Sequence, residues 1–282
     1  MNAADLALRG TLGGVMLHAL DPERYPLDKF EPAEGRALRW PSGIAGVEDR
    51  VDLEGFYGFT TIQGKQKLGK SIAAFASAGL AVNAGIRVIY VDAELDAMQL
   101  TRRIVRFGGA DWYAQTRDHF VMRMLTAPCS LTAMVSDLAL HVGLETERVL
   151  VVLDSVTRIA QRVETASRLA RAGRSLDYWT AMRLVIDWCA TIRRLAPTQI
   201  GVLVTSEENG KGGTKGQQLE YAGDMVMRVK GTPGSKVVEL DIPYSREGGE
   251  GELGMYRNDW QHTRFERCER VEARDPNQPV LM

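Results

Sequence analysis

The sequence predicts an α/β protein: a mostly parallel sheet flanked by helices, with antiparallel β-hairpins added at one edge. Three observations predict it. Between about residues 59 and 205, short runs rich in Val, Ile and Leu alternate with longer stretches of helical period, and such alternation requires crossover connections and therefore parallel strands. One strand-to-helix junction reads GKQKLGKS, residues 64–71, a glycine-bracketed loop that belongs between a strand and a helix. After about Asp224 short β-rich runs follow one another, separated by Gly and Pro with no helix between them, the pattern of hairpins.

The elements follow in order. Residues 1–41 stand apart, because DPERYPLDKFEPAEGRALRWP carries four prolines and many charges. They read as an extended arm or linker after a short helix, with a disordered tail as the competing reading. FTTIQ is a β-rich run ending at Gly64, and SIAAFASAGLAVNAG is a helix stopped by Gly85. RVIYVD is a buried strand, DAMQLTRRIVRFGG a helix closed by its glycines, HFVMRML a strand and SLTAMVSDLALHVG a helix. RVLVVLD is the next strand, LDYWTAMRLVIDWCATIRRL a long amphipathic helix and QIGVLVT the strand after it. MVMRVKG, SKVVELDIP, GELGMYR and TRFERCE form the edge hairpins, and EARDPNQPVLM reads as a tail. This gives one core domain over 42–268 between an arm at 1–41 and a tail at 269–282.

With 282 residues, 45% of them hydrophobic, the chain is long enough for one large domain with a proper core. The net charge of -1 does not fit a strongly basic nucleic-acid binder, so any DNA contact must come from local basic patches. Cys129, Cys189 and Cys268 are odd in number and far apart, which argues against a disulfide framework or a zinc site. No apolar run reaches 18 residues and the N-terminus has no basic start, so neither a membrane span nor a signal peptide is expected and a cytoplasmic location is.

The loop Gly64, Lys65, Gln66, Lys67, Leu68, Gly69, Lys70, Ser71 fits the phosphate-binding pattern G-x-x-x-x-G-K-[ST]. Its backbone N–H groups close around phosphates, Lys70 reaches the β- and γ-phosphates, and Ser71 offers a hydroxyl to Mg²⁺. ATP with Mg²⁺ is the implied ligand. Asp154 ends the buried strand RVLVVLD, at the carboxyl end where ligands bind in open α/β sheets, and can hold the Mg²⁺ shell. Glu94, just past RVIYVD, is placed to act as general base on the attacking water. The alternative there is a helix N-terminus, where Asp92, Glu94 and Asp96 all suit the first turn.

The runs GKQKLGKS, VIYVDAELDAMQL and VLVVLDSVTRI resemble the RecA-like P-loop ATPases, above all the RecA and DnaB families. The resemblance spans about residues 41–268 and implies a RecA-like fold, ATP hydrolysis, and Glu94 as the catalytic base. VVELDIPYSREGGEGELGMYRNDWQHTRFE resembles the ending of DnaB and RadA proteins, whose basic motif reaches a neighbouring subunit's γ-phosphate. That implies Arg246 acting in trans and a ring or filament, by resemblance a hexamer. Tyr244 stands where the family has Lys, and Ser206 where it often has the γ-phosphate-sensing Gln.

RecA-like proteins hold single-stranded DNA on two axial loops. The resemblance places the first at TRIAQRVETASRLARAGRSLDYW, with Arg158, Arg162, Arg168, Arg171 and Arg174, whose forked guanidinium groups suit phosphates. The competing reading is a solvated helix face. The second is EENGKGGTKGQQ, with Lys211 and Lys215, or a plain surface turn. Tyr178 and Trp179 border the first loop at helical spacing and read as core. The expected function is a helicase-like or RadA-like motor on single-stranded DNA. A recombinase-type filament without unwinding, and a KaiC-like regulatory ATPase with a protein partner, remain alternatives.

Overall fold

The chain runs, in order, through α1 (Leu12–Leu20), β1 (Arg39–Trp40), α2 (Ala45–Glu48), β2 (Phe56–Tyr57), β3 (Phe59–Gly64), α3 (Lys70–Asn83), β4 (Arg87–Asp92) and α4 (Ala97–Thr116). It continues through β5 (Phe120–Met124), α5 (Leu131–Val142), β6 (Val149–Asp154), α6 (Val156–Leu169), α7 (Tyr178–Leu195) and β7 (Ile200–Glu207). The last strands are β8 (Met225–Lys230), β9 (Val237–Ser245), β10 (Gly251–Asp259) and β11 (Arg264–Cys268). The structure is a computed structural model and describes residues 8, 10–27, 30–49, 54–142, 148–170, 175–207, 219, 222–259, 261 and 263–268.

One nine-stranded sheet has the order β11-β10-β9-β8-β3-β7-β6-β4-β5. The six strands from β8 to β5 are parallel, and β9, β10 and β11 extend the edge antiparallel. The reason lies in the side-chain period of two. On β6, Val149, Val151 and Leu153 enter the core on one face, and Leu150 and Val152 enter the core on the other. A strand covered on both faces must be apolar throughout, and all six β6 residues are buried. Helices α1, α5, α6 and α7 cover the first face, and α3 and α4 the second.

Four details depart from the sequence reading. The segment before residue 41 is not set apart: Leu12, Val15, Met16 and Leu17 of α1 lie in the first core, and the Trp188 indole N–H donates to the Met16 carbonyl at 3.0 Å. Helix α4 does not stop at its glycines. Gly109 makes a kink at φ 82°, and the chain resumes as a helix because Trp112 packs edge-on against Phe107 and Phe120 and donates to Asn83 Oδ1 at 2.9 Å. Strand β8 is no hairpin arm, since it pairs parallel with β3. Trp179 is 45% exposed rather than core, while its neighbour Tyr178 is half-buried against the first core.

Candidate nucleotide site

Strand β3 ends at Gly64 and α3 starts at Lys70, so residues 65–69 turn between them. Gly69 caps the helix at φ 91°, a left-handed conformation, and a Cβ there would strike the buried Asn258 side chain; only glycine fits. Gln66, Lys67, Gly69, Lys70 and Ser71 line a cleft of about 300 Å³. Leu68 does not: it is fully buried in the second core and anchors the loop from below. Lys65 is exposed, and its carbonyl accepts from Lys70 Nζ at 2.8 Å. The Lys70 ammonium is thus held over the loop, beside the N-terminus of α3. Backbone donors and the helix dipole converge with it on one place, which suits a polyphosphate.

The floor of the cleft is built around Asp154, at the end of β6 and 2% exposed. Its Oδ1 accepts from Ser71 Oγ at 2.9 Å and from Thr205 Oγ1 at 2.6 Å. Its Oδ2 accepts from the Tyr90 hydroxyl at 2.6 Å, and Arg103 Nη1 lies 3.6 Å away. A buried carboxylate needs such company, because removing it from water without partners is costly. Asp92 pairs in register with Asp154 on the adjacent strand, and its Oδ1 accepts from the N–H groups of Glu94 and Leu95. Burial, and then the Asp154 charge, push Asp92 up to about 6. The same causes raise Tyr90 well above its usual range, so it stays a proton donor to Asp154. A carboxylate and a hydroxyl side by side at a phosphate loop fit Mg²⁺, a hard cation that takes few protein ligands and keeps water and phosphate oxygens. Among the described residues there is no cluster of three His, Cys, Asp or Glu that could cage a metal.

The rim is more open. Glu94 lines the cleft at 37% side-chain exposure. Its Oε1 accepts from Ser155 Oγ at 3.0 Å and lies 3.8 Å from Arg158 Nε. The helix cap is Asp96, whose side chain accepts from the Gln99 N–H, so Glu94 is not the capping carboxylate. Across the cleft Glu207 takes hydrogen bonds from the Gln66 amide at 3.0 and 3.1 Å.

The other sequence candidates lie elsewhere. Ser206 is buried and does not line the cleft, whereas Thr205 and Glu207 on either side of it do; the alternation along β7 turns it away. Arg246 is at the far end of the sheet. Ser245 pairs with Met225, and Met225 with Thr60, so Arg246 sits by the amino end of β3, opposite its own phosphate loop. It is half-exposed, 3.5 Å from Asp224 Oδ1, with its Nε donating to the Tyr244 hydroxyl at 3.2 Å. Arg162 and Arg168 are on helix α6, which occupies most of the first expected loop. Arg168 is paired with Glu164 at 2.6 Å. Arg171, Arg174, Lys211 and Lys215 lie outside the described residues.

Sequence reasoning passed over Tyr90, Arg103, Ser155, Arg158, Thr205 and Glu207 as site residues, and two signals were there to be read. Tyr90 is two residues before Asp92, so both face one side of the sheet. Arg103 shares a helix face with the buried Leu100 and Ile104 and the partly buried Phe107; a cation on an apolar stripe needs a buried anion opposite.

No protein-family model matches the chain, and no curated protein matches it in sequence. Two solved structures share its architecture. A KaiC-like protein of the hyperthermophilic archaeon Pyrococcus horikoshii superposes with a TM-score of 0.56 at 19% identity, over 78% of this chain and 94% of that one. The ATPase domain of a DnaB-like helicase superposes with a TM-score of 0.57 at 15% identity, over 84% of this chain and 94% of that one. The likeness is one of fold, and the chain has the fold of the RecA-like P-loop ATPases.

Proposed function

We propose that the protein hydrolyses ATP as a RecA/DnaB-like motor assembled into a ring or filament, and that single-stranded DNA is what it moves along or remodels. The carrying observation is the convergence on one cleft of a phosphate loop, a buried Asp154–Ser71 pair and a second, half-exposed carboxylate, Glu94. Lys70 exchanges the Lys65 carbonyl for phosphate oxygens. Ser71 and Asp154 hold Mg²⁺, which when bound with the nucleotide neutralises the triphosphate. Glu94 takes the proton of the attacking water as general base. Arg246, remote from its own cleft, supplies a cation to a neighbour's, the role of an arginine finger.

The DNA reading is supported by Arg158 and Arg162, which line a groove along α6 directly beside the cleft. The test measures ATP turnover with and without single-stranded DNA, alongside the mass of the assembly. Turnover that rises with DNA in a hexamer-sized particle supports the motor; turnover indifferent to DNA, with no binding at low salt, rejects it. A second reading, a regulatory ATPase with a protein partner, is favoured by the net charge of -1 and the likeness to a KaiC-like protein. The same experiment separates the two, because only DNA binding falls steeply with salt. An unwinding assay then separates a helicase from a recombinase-type filament.

A further inference from the structure

Beside the nucleotide cleft runs an open groove of about 600 Å³ along α6, lined by Ala93, Glu94, Arg158, Gln161, Arg162, Glu164 and Thr165. Glu94 and Arg158 line both the groove and the cleft, so this ion pair is the wall between them. Arg158 spans the wall: its Nε lies 3.8 Å from Glu94 Oε1 and its Nη1 donates to Gln161 Oε1 at 3.1 Å. Arg162 follows one turn later on the same side, and Glu164 is already engaged by Arg168. A site with two guanidinium groups and an amide at this spacing takes a phosphate diester.

We propose that Arg158 is a positioning residue that latches Glu94, and that a backbone phosphate of a single strand entering the α6 groove releases it by pairing with Arg158 and Arg162. The inference rests on the reading of the protein as a strand-dependent ATPase. While Arg158 holds it, the Glu94 carboxylate is drawn toward α6 and its basicity is lowered by the neighbouring cation. An ion pair this exposed, 43% on Arg158 and 37% on Glu94, is weak, so a bidentate phosphate can displace it. Ser155 Oγ, 3.0 Å from Glu94 Oε1, keeps the carboxylate at the cleft once the arginine leaves.

The experiment compares wild type, Arg158→Gln and Arg158→Lys. It measures kcat and KM for ATP without and with a thymidine oligonucleotide, oligonucleotide affinity by fluorescence anisotropy, and melting temperature as a check on folding. Arg158→Gln should raise the strand-free kcat roughly 3- to 5-fold, the scale of one exposed ion pair, with KM unchanged, and should lose most of the stimulation by oligonucleotide. Arg158→Lys should restore the low basal rate. If the oligonucleotide binds and stimulates wild type, but folded Arg158→Gln keeps the wild-type basal rate and full stimulation, the latch is overturned and the motor reading stands. If the oligonucleotide neither binds nor stimulates wild type, the motor reading fails, and the strand as trigger with it. An arm with inorganic phosphate alone decides the source: stimulation of wild type by millimolar phosphate equal to that by oligonucleotide would reassign the groove to free phosphate.

Discussion

The floor and the rim of the cleft are built on opposite plans. On the floor, Asp154 is buried and bonded to Ser71, Tyr90 and Thr205 with Arg103 beside it, so each neighbour fixes the next. On the rim, Glu94, Arg158, Gln66 and Glu207 are partly or fully exposed and joined by contacts that water or a ligand can replace. The difference teaches where each kind of chemistry belongs. A metal-holding carboxylate gains from rigidity, since preorganised charge needs no rearrangement during reaction. A general base that answers to a second ligand has to move. Substitutions on the floor should therefore change folding and binding together, and substitutions on the rim should change turnover with the fold intact.

The largest effect is expected from the cation that neither floor nor rim of the same subunit contains. Arg246 lies at the amino end of β3, away from its own loop, so a single subunit's cleft is incomplete. Arg246→Ala should bind ATP nearly normally, still assemble, and hydrolyse about 10³- to 10⁵-fold more slowly, the range for arginine fingers. Lys70→Ala should be inactive for the opposite reason. Mixing the two proteins should raise activity above either alone, because some interfaces then carry both intact halves. Mixed oligomers without recovered activity, or a fully active Arg246→Ala, would refute the shared site.

Next comes the rim. Glu94→Gln keeps the shape and the Ser155 hydrogen bond but removes the base, so nucleotide affinity should hold while kcat falls on the order of 10²-fold or more. Wild-type turnover in this variant would reduce Glu94 to a surface carboxylate and leave the cleft without its base.

These two regions also differ in how much the sequence discloses. The loop at residues 64–71 and Asp154 are legible because the chemistry lies in a contiguous pattern behind a strand of recognisable apolarity. The sheet is legible because two covered faces force apolar runs such as Val149–Leu153. The continuation of α4 past Gly109 is not, since a double glycine is a stop by propensity and only the packing of Trp112 on Phe107 and Phe120 overrides it. Ser206 reads as the site residue in place of Thr205 because strand position alone does not give the facing; one residue of register inverts it. The Arg158–Glu94 pair joins two residues far apart in sequence, and no local pattern announces a contact of that separation.

A smaller effect sharpens the description of the floor. Asp92 titrates at about 6 in the folded protein against an ordinary 3.8. Between those values the folded state holds a proton that the unfolded chain has released, so this contribution is fully present below the unfolded value and is lost as pH rises through about 6. Above that, an ionised Asp92 beside Asp154 costs stability. Asp92→Asn can still accept from the N–H groups of Glu94 and Leu95 while removing the repulsion. It should stabilise the nucleotide-free protein at pH 7.5 by on the order of 1 kcal/mol, with the advantage vanishing near pH 4. Urea denaturation of both proteins from pH 4 to 8 measures it; an equal or lower midpoint for Asp92→Asn at pH 7.5 would mean that Arg103 already neutralises the pair.

The smallest effect concerns charges that lie outside the cleft altogether. If a single strand touches the basic segments, removing one phosphate-binding side chain should flatten the slope of log affinity against log salt by roughly 0.7, the single-strand value. The pair Lys211 and Lys215 should show this fully. Arg168→Ala with Arg171→Ala should show less, because Arg168 is already paired with Glu164 at 2.6 Å and must give up that partner to reach a phosphate. Basal hydrolysis should survive in both double variants, since none of the four residues lines the described cleft. Equal, unchanged slopes in the two variants would remove DNA from this surface and leave a protein partner as the reading. A fall in basal hydrolysis in the Arg168 and Arg171 variant would instead show that α6 transmits to Glu94 without any strand bound, extending the mobile rim along the helix.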